Sequence, residues 1–266
     1  MKGYRGIILI ALAMAVSATA TANSRDQAQR IHNRLAGVPA DAATLTEMAQ
    51  LIDNNQVAEA AELAMDNPAF YNVTIKQFAT PWTNEAQDVF APLNDYTATI
   101  IGVVRDDVDF RRILYSDLLY VGNASPAASP SSNAHYQALE DQHADLSTVL
   151  TESSQASQYG TPAEAVAGVL TTRAAANAFF YAGTNRAMLR FTMMNHMCRD
   201  LEQVKDTTRP SDRIRQDVSR SPGGDSRIFR NSCIGCHSGM DPLAQAFAYY
   251  DWEGEQEGNG GRMVYN

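Results

Sequence analysis

Apolar residues recur at helical spacing through most of the chain. Leu45, Met48, Leu51 and Ile52 step by three and four, and Asp41 or Thr44 is placed to cap the helix that carries them. Val57 to Met65 is Ala-rich with Glu59 and Glu62 and predicts a second helix, which Pro68 stops. Pro81, Trp82 and Pro92 interrupt the next stretch. Asn94-Asp95 then predicts a cap for a helix through Tyr96, Ile100, Val103 and Val104. Ile113 to Val121 is apolar and fits either helix or strand. His135 to Leu150 is polar with a helical pattern. Thr161-Pro162-Ala163-Glu164 marks a helix start, with proline in the first turn, and one or two long helices follow to about Val204. Within them Leu189, Met193, Met197, Leu201 and Val204 form a stripe expected to pack in the core. Arg173, Arg186, Arg190 and Arg199 in the same stretch are expected to be solvated or salt-bridged. The fold class expected is mainly α.

Punctuation divides the pattern. Residues 124–133 hold Pro126, Pro130 and four serines, the composition of a linker or loop. Ser221-Pro222-Gly223-Gly224-Asp225 is a turn signal. The expected organisation is a leader at 1–22, a helical region at 23–123, a linker at 124–133, a second helical region at 134–206 and a distinct C-terminal segment at 207–266. The leader has Lys2 and Arg5, an apolar run of 11 residues from Gly6 to Val16, and Ala20-Thr21-Ala22 in a small-x-small pattern. That order is a secretory signal peptide, and the run falls short of the roughly 20 residues that span a bilayer. Export, read as periplasmic in a bacterium, with no membrane span after cleavage, is the expectation.

Composition narrows the classes. Of 266 residues 45% are hydrophobic and 19% charged, which excludes a collagen-like or low-complexity chain. Net charge is −9, so binding nucleic acid through a general basic surface is not expected. Against that acidic background, Lys205 to Arg230 carries seven basic and four acidic residues. Three cysteines are too few for a disulfide framework at this length.

The residues that carry chemistry are Cys233-Ile234-Gly235-Cys236-His237. Cys-x-x-Cys-His is the attachment pattern of c-type haem. The two thiols add to the two haem vinyl groups, and the adjacent imidazole lies beneath the iron as axial ligand. Such attachment requires haem and reduced cysteines outside the cytoplasm, so motif and leader support each other. Other readings of the same residues are a thiol redox pair, a zinc site completed by Cys198 and a distant histidine, and a plain disulfide. Downstream, Asp241 is placed as an N-cap and Pro242 as the first residue of an aromatic helix from Ala244 to Tyr250.

Cys-x-x-Cys-His-x-x-Met-Asp-Pro-Leu, followed by Asp251-Trp252-Glu253-Gly254, resembles the haem-attachment domain of planctomycete-type cytochrome c-like exported bacterial proteins. Leu93-Asn94-Asp95-Tyr96-Thr97, Phe110-Arg111-Arg112-Ile113-Leu114 and Leu119-Tyr120-Val121 are similar to their upstream helical region. The resemblance implies one covalent haem c on Cys233 and Cys236, with His237 as the iron ligand. It departs at Ala244, where the family has glycine. The chain also ends soon after the motif, where relatives continue, which reads as a truncated segment. A distal iron ligand is sought among Met193, Met194, His196, Met197 and Met263, or is absent. Met240, three residues from His237, is not expected to reach the opposite face. Arginines from Arg209 to Arg230 are candidates to pair with haem propionates. Methionine or histidine ligation favours electron transfer with a redox partner protein, and an open site favours peroxide or ligand chemistry. The readings carried forward are an electron-transfer protein, a haem enzyme such as a peroxidase or an oxidase subunit, and a non-haem binding protein with a disulfide. His32, His135 and His143 are expected in structural or surface roles. Asp251, Glu253, Glu255 and Glu257 do not match a calcium loop, and Cys198 is expected to be a buried thiol.

Overall fold

The computed structural model describes residues 23–181, 185–208, 225–255 and 260–266, and the expected leader at 1–22 lies outside them. It is mainly helical and separates into two compact units, one up to Phe70 and one from Tyr71. The division therefore falls earlier than the Pro/Ser-rich segment 124–133.

Among the described residues the first unit is built on three helices, α1 (Ser24–Leu35), α2 (Ala42–Asp53) and α3 (Val57–Met65). Asn23 and Asp41 cap the first two, each carboxyl or amide oxygen accepting from free first-turn N–H groups. Ala28, Leu45, Met48, Ile52, Ala60 and Ala64 make the core, so the helical spacing at Leu45, Met48 and Ile52 is its inward stripe. His32 is buried there and its Nδ1 lies 2.9 Å from the Val38 carbonyl.

The second unit is organised around α4 (Asp95–Arg105), which is buried on nearly every face from Asp95 to Val103. Asn94 caps it by accepting from the Thr97 N–H. It packs on the strand Leu119–Val121 and on α6 (Arg173–Phe179); α6 in turn packs on α7 (Arg186–Met197), and α7 on α8 (Ile234–Ala244). The unit also holds α5 (Ala134–Asp141) and, among the described residues, two small antiparallel sheets. β1 (Leu119–Val121) pairs with β2 (Thr151–Ser153), with Tyr120 opposite Glu152. β3 (Tyr250–Glu253) pairs with β4 (Arg262–Tyr265), with Trp252 opposite Met263. The apolar stretch 113–121 thus resolves into the end of a 3-10 turn, Phe110–Leu114, and the strand β1.

Asp95 ties two helices together. Its buried carboxylate accepts the N–H groups of Arg173 at 2.6 Å and Ala174 at 3.0 Å, and the Tyr159 hydroxyl at 3.2 Å. Burial pushes its pKa up, and the Ala174 and Arg173 N–H groups oppose that rise. This is why the second long helical stretch begins at Arg173. The Thr161-Pro162 signal yields only a 3-10 turn at Ala163–Ala165, because the carboxylate that receives the first-turn donors sits further along.

Residues 124–133 belong to the second unit. The Asn133 amide donates to the Leu93 carbonyl, and His135 bridges the Gly122 N–H and the Pro126 carbonyl. The stripe beyond Met193 also changes course. Helix α7 stops at Met197, Cys198 takes a left-handed backbone at φ 51°, and Leu201 and Val204 return in a 3-10 turn. Met197 is exposed. Cys198 is exposed as well, against the expected buried thiol, because the helix end turns it outward.

Gly102 lies against the ring of Tyr120, and a Cβ there would overlap the ring. Gly102→Ala is expected to destabilise the chain by about 1–3 kcal/mol through overpacking, read as a lower midpoint in urea unfolding with an unchanged slope.

Candidate functional site

The Cys-x-x-Cys-His residues sit where a π-helical turn, Phe229–Cys233, runs into α8. Cys233 precedes the helix, and Cys236 and His237 occupy its first turn. Steps of three and four bring the two thiols and the imidazole to one side of the helix. All three are partly exposed, and both thiols are free. Gly235 and Gly239 form another side. Gly239 lies against the Val204 carbonyl so closely that a Cβ would collide with it. The small residues let α8 seat on the 201–206 segment.

Asp241 is the main departure from the sequence reading. It does not cap a helix, and Pro242 lies inside α8. Helix α8 begins seven residues earlier and continues through both. A proline has no N–H to give, yet the helix ends two residues later at Ala244, so the loss falls in its last turn. The expected aromatic helix is then a 3-10 turn, Gln245–Phe247, followed by strand β3.

The Asp241 side chain turns inward and is fully buried. Arg186 of α7 clamps it, with Nε 2.8 Å from Oδ1 and Nη2 3.3 Å from Oδ2. His237 Nδ1 lies 3.2 Å from both carboxylate oxygens. Nδ1–H therefore faces an acceptor, and Nε2 on the far edge of the ring is left to act as a ligand. The ring of Phe229 packs at 5.1 Å, tilted by 60°, and restricts its rotation further. Beneath this group Leu189 and Met193 of α7 pack on Met240 and Ala244 of α8, joined by Leu201, Val204 and Phe247. The Asn185 amide fastens the region after α8, donating to the Tyr250 carbonyl at 2.8 Å.

The candidates for a distal ligand are scattered. His196 is half-buried, its Nε2 2.8 Å from the Tyr96 hydroxyl and its ring 5.3 Å from Trp82. Met263 is on β4 and packs on the main core. Met193 belongs to the layer under α8, and Met194 lines a shallow surface cleft with Cys198. The arginines from Arg209 to Arg220 lie outside the described residues, and Arg227 is paired with Asp225. Among the described residues no three His, Cys, Asp or Glu side chains converge as a metal cage, so the zinc reading finds no fourth or third partner there. Glu253 faces Arg262 across the hairpin. No helix among the described residues is long and apolar enough to cross a membrane.

Sequence reasoning missed Asp241 and Arg186 as members of the site. The signal was present as His237-x-x-x-Asp241, a pair four apart on a helix. The local Asp-Pro start signal hid it. Comparison of the chain with protein-family models, with curated proteins and with solved structures finds no match.

Two outcomes test this geometry. Asp241→Asn leaves Arg186 facing an uncharged group in the interior, and a loss of about 3–5 kcal/mol in chemical unfolding is expected. His196 is held by burial well below its ordinary value of 6.5, at about 4. Between those values the unfolded chain binds the extra proton, so the stability tied to His196 is complete above pH 6.5 and declines toward pH 4. Unfolding curves across that window should lose about 2–3 kcal/mol from this group, and His196→Gln should flatten the slope.

Proposed function

We propose that the chain carries one haem c, bound through Cys233 and Cys236 with His237 as axial ligand, and that it transfers electrons as an exported, periplasmic protein. The observation that carries this reading is the Arg186–Asp241–His237 chain of contacts. An iron-binding imidazole needs one nitrogen held and the other exposed, and a buried carboxylate behind Nδ1 supplies that orientation. Two free thiols at the required spacing stand on the same helical turn. The haem would supply one-electron chemistry. This chain's part is to orient the imidazole, to exclude water behind it with Leu189, Met193 and Met240, and to set the charge near it.

The distances favour electron transfer over peroxide turnover. The carboxylate is 2.8 Å from Arg186 and 3.2 Å from His237. Its charge is therefore spent mainly on the guanidinium, and the imidazole is positioned more than it is made a stronger donor. The resemblance to planctomycete-type cytochrome c-like domains supports the attachment of haem at Cys233, Cys236 and His237, and it does not bear on the reaction.

The test is production with a c-type maturation system, followed by mass measurement and a pyridine haemochrome spectrum. One haem mass per chain, retained on denaturation, is expected, along with loss of one thioether link in Cys233→Ala and in Cys236→Ala. A colourless product, or haem released by denaturant, overturns the proposal. Rapid peroxide turnover by the haem-loaded chain would overturn the electron-transfer assignment alone.

A further inference from the structure

A buried phenol and an imidazole meet apart from the Cys-x-x-Cys-His residues. Tyr96 of α4 is 1% exposed. Its hydroxyl lies 2.8 Å from Nε2 of His196 on α7, and the two rings are nearly parallel, tilted by 18° with centroids 6.4 Å apart. Trp82 completes the group, its ring 5.3 Å from the imidazole and 4.9 Å from that of Phe78, which is exposed. His196 and Trp82 are half-buried, so the group runs from the interior to the surface. The second nitrogen of His196, Nδ1, has no hydrogen-bond partner among the described residues, yet it is not shut off from solvent.

Burial pushes the Tyr96 hydroxyl well above its ordinary pKa and holds His196 down at about 4. At neutral pH the phenol therefore keeps its hydrogen and the imidazole is uncharged. With its own hydrogen on the outward Nδ1, the imidazole presents Nε2 to the phenol as an acceptor. Other tyrosine hydroxyls in this unit are placed differently. Tyr136 and Tyr250 donate to carbonyl oxygens, which take up no proton. Tyr120 donates to Asp106, whose carboxyl is held low by Arg105, and Tyr159 donates to Asp95, which already accepts two backbone N–H groups. Of these hydroxyls, Tyr96 alone faces a nitrogen base with an outlet to water. A phenol in a low-dielectric interior gives up an electron readily only if its proton leaves at the same time, since a charged radical there is costly.

We propose that Tyr96 is a redox-active residue, giving one electron through the Trp82 indole to an outer-sphere one-electron oxidant at the surface while its proton passes to His196 Nε2. The Tyr96 O–H bond breaks and an Nε2–H bond forms. His196 then releases its Nδ1 proton to water. The products are a neutral tyrosyl radical, the reduced oxidant and one solvated proton, and reduction of the radical reverses each step. This inference does not depend on the haem assignment.

Flash oxidation of the full chain by photogenerated tris(bipyridine)ruthenium(III), followed by absorbance and electron paramagnetic resonance, tests this. A long-lived tyrosyl radical is expected, because the buried ring cannot couple to that of another chain. Its formation should be slower in deuterated solvent. Tyr96→Phe, which keeps the ring, should abolish the long-lived signal. His196→Gln still accepts a hydrogen bond but cannot take the proton, and should slow radical formation by about a hundredfold. Trp82→Phe should also slow formation while leaving the same radical. Urea unfolding of each variant separates lost chemistry from lost folding. No long-lived radical in the unaltered chain overturns the proposal, as does its persistence in a folded Tyr96→Phe. An unchanged rate in a folded His196→Gln, or the absence of any solvent deuterium effect, overturns the proton transfer. An unchanged rate in a folded Trp82→Phe overturns the route through the indole.

Discussion

A carboxylate that has lost all contact with water must be met by positive charge or by donors, and Asp241 is met by Arg186. That one requirement determines how the motif-bearing helix sits. Arg186 is at the start of α7 and Asp241 near the end of α8, so sliding or rotating either helix would strand both charges. The apolar contacts of Leu189 and Met193 with Met240 and Ala244 lie along the same interface, and Gly239 lets the backbone come close enough for them to form. The orientation of His237 is a consequence. Its Nδ1 faces the same carboxylate, and the nitrogen available to a metal is fixed by default.

The second unit repeats the device at Asp95. That carboxylate is also fully buried, but backbone N–H groups and a tyrosine hydroxyl meet it instead of a guanidinium. The cost of burial outweighs those hydrogen bonds and the charge of Arg173, which is why its pKa is raised. The two carboxylates tie α4 to α6 and α7 to α8. They also set off the two arginines. Arg186 has its fork filled from within the fold, while Arg173, stacked on Trp252, keeps Nε and Nη2 buried without a partner.

Local signals were read correctly where the local chain is what decides. Asp41 and Asn94 cap the helices they were expected to cap, since an N-cap needs only its own first turn. Leu45, Met48 and Ile52 face inward because α1, α2 and α3 share one interior for a stripe to find. Signals failed where a distant partner outbid them. Asp241-Pro242 is a strong helix start in isolation, yet Asp241 is claimed by Arg186, 55 positions upstream. Thr161-Pro162 has the form of a start as well, but Asp95 receives the donors at Arg173 and Ala174. The Gly-rich acidic tail carried no helical period and closes as a hairpin, with Trp252 buried under it.

The amino-acid order by itself determined the helical class, the better-capped helices and the spacing of Cys233, Cys236 and His237, since all of these depend on neighbours within a turn or two. Only the tertiary structure decided which carboxylate stands behind the imidazole and which thiol is exposed. It also decided which methionines and histidines are absorbed by the core and which buried arginine lacks a partner. Those outcomes depend on what a side chain meets across the interior, and in a low-dielectric interior an unmet charge or donor costs more than any local propensity returns.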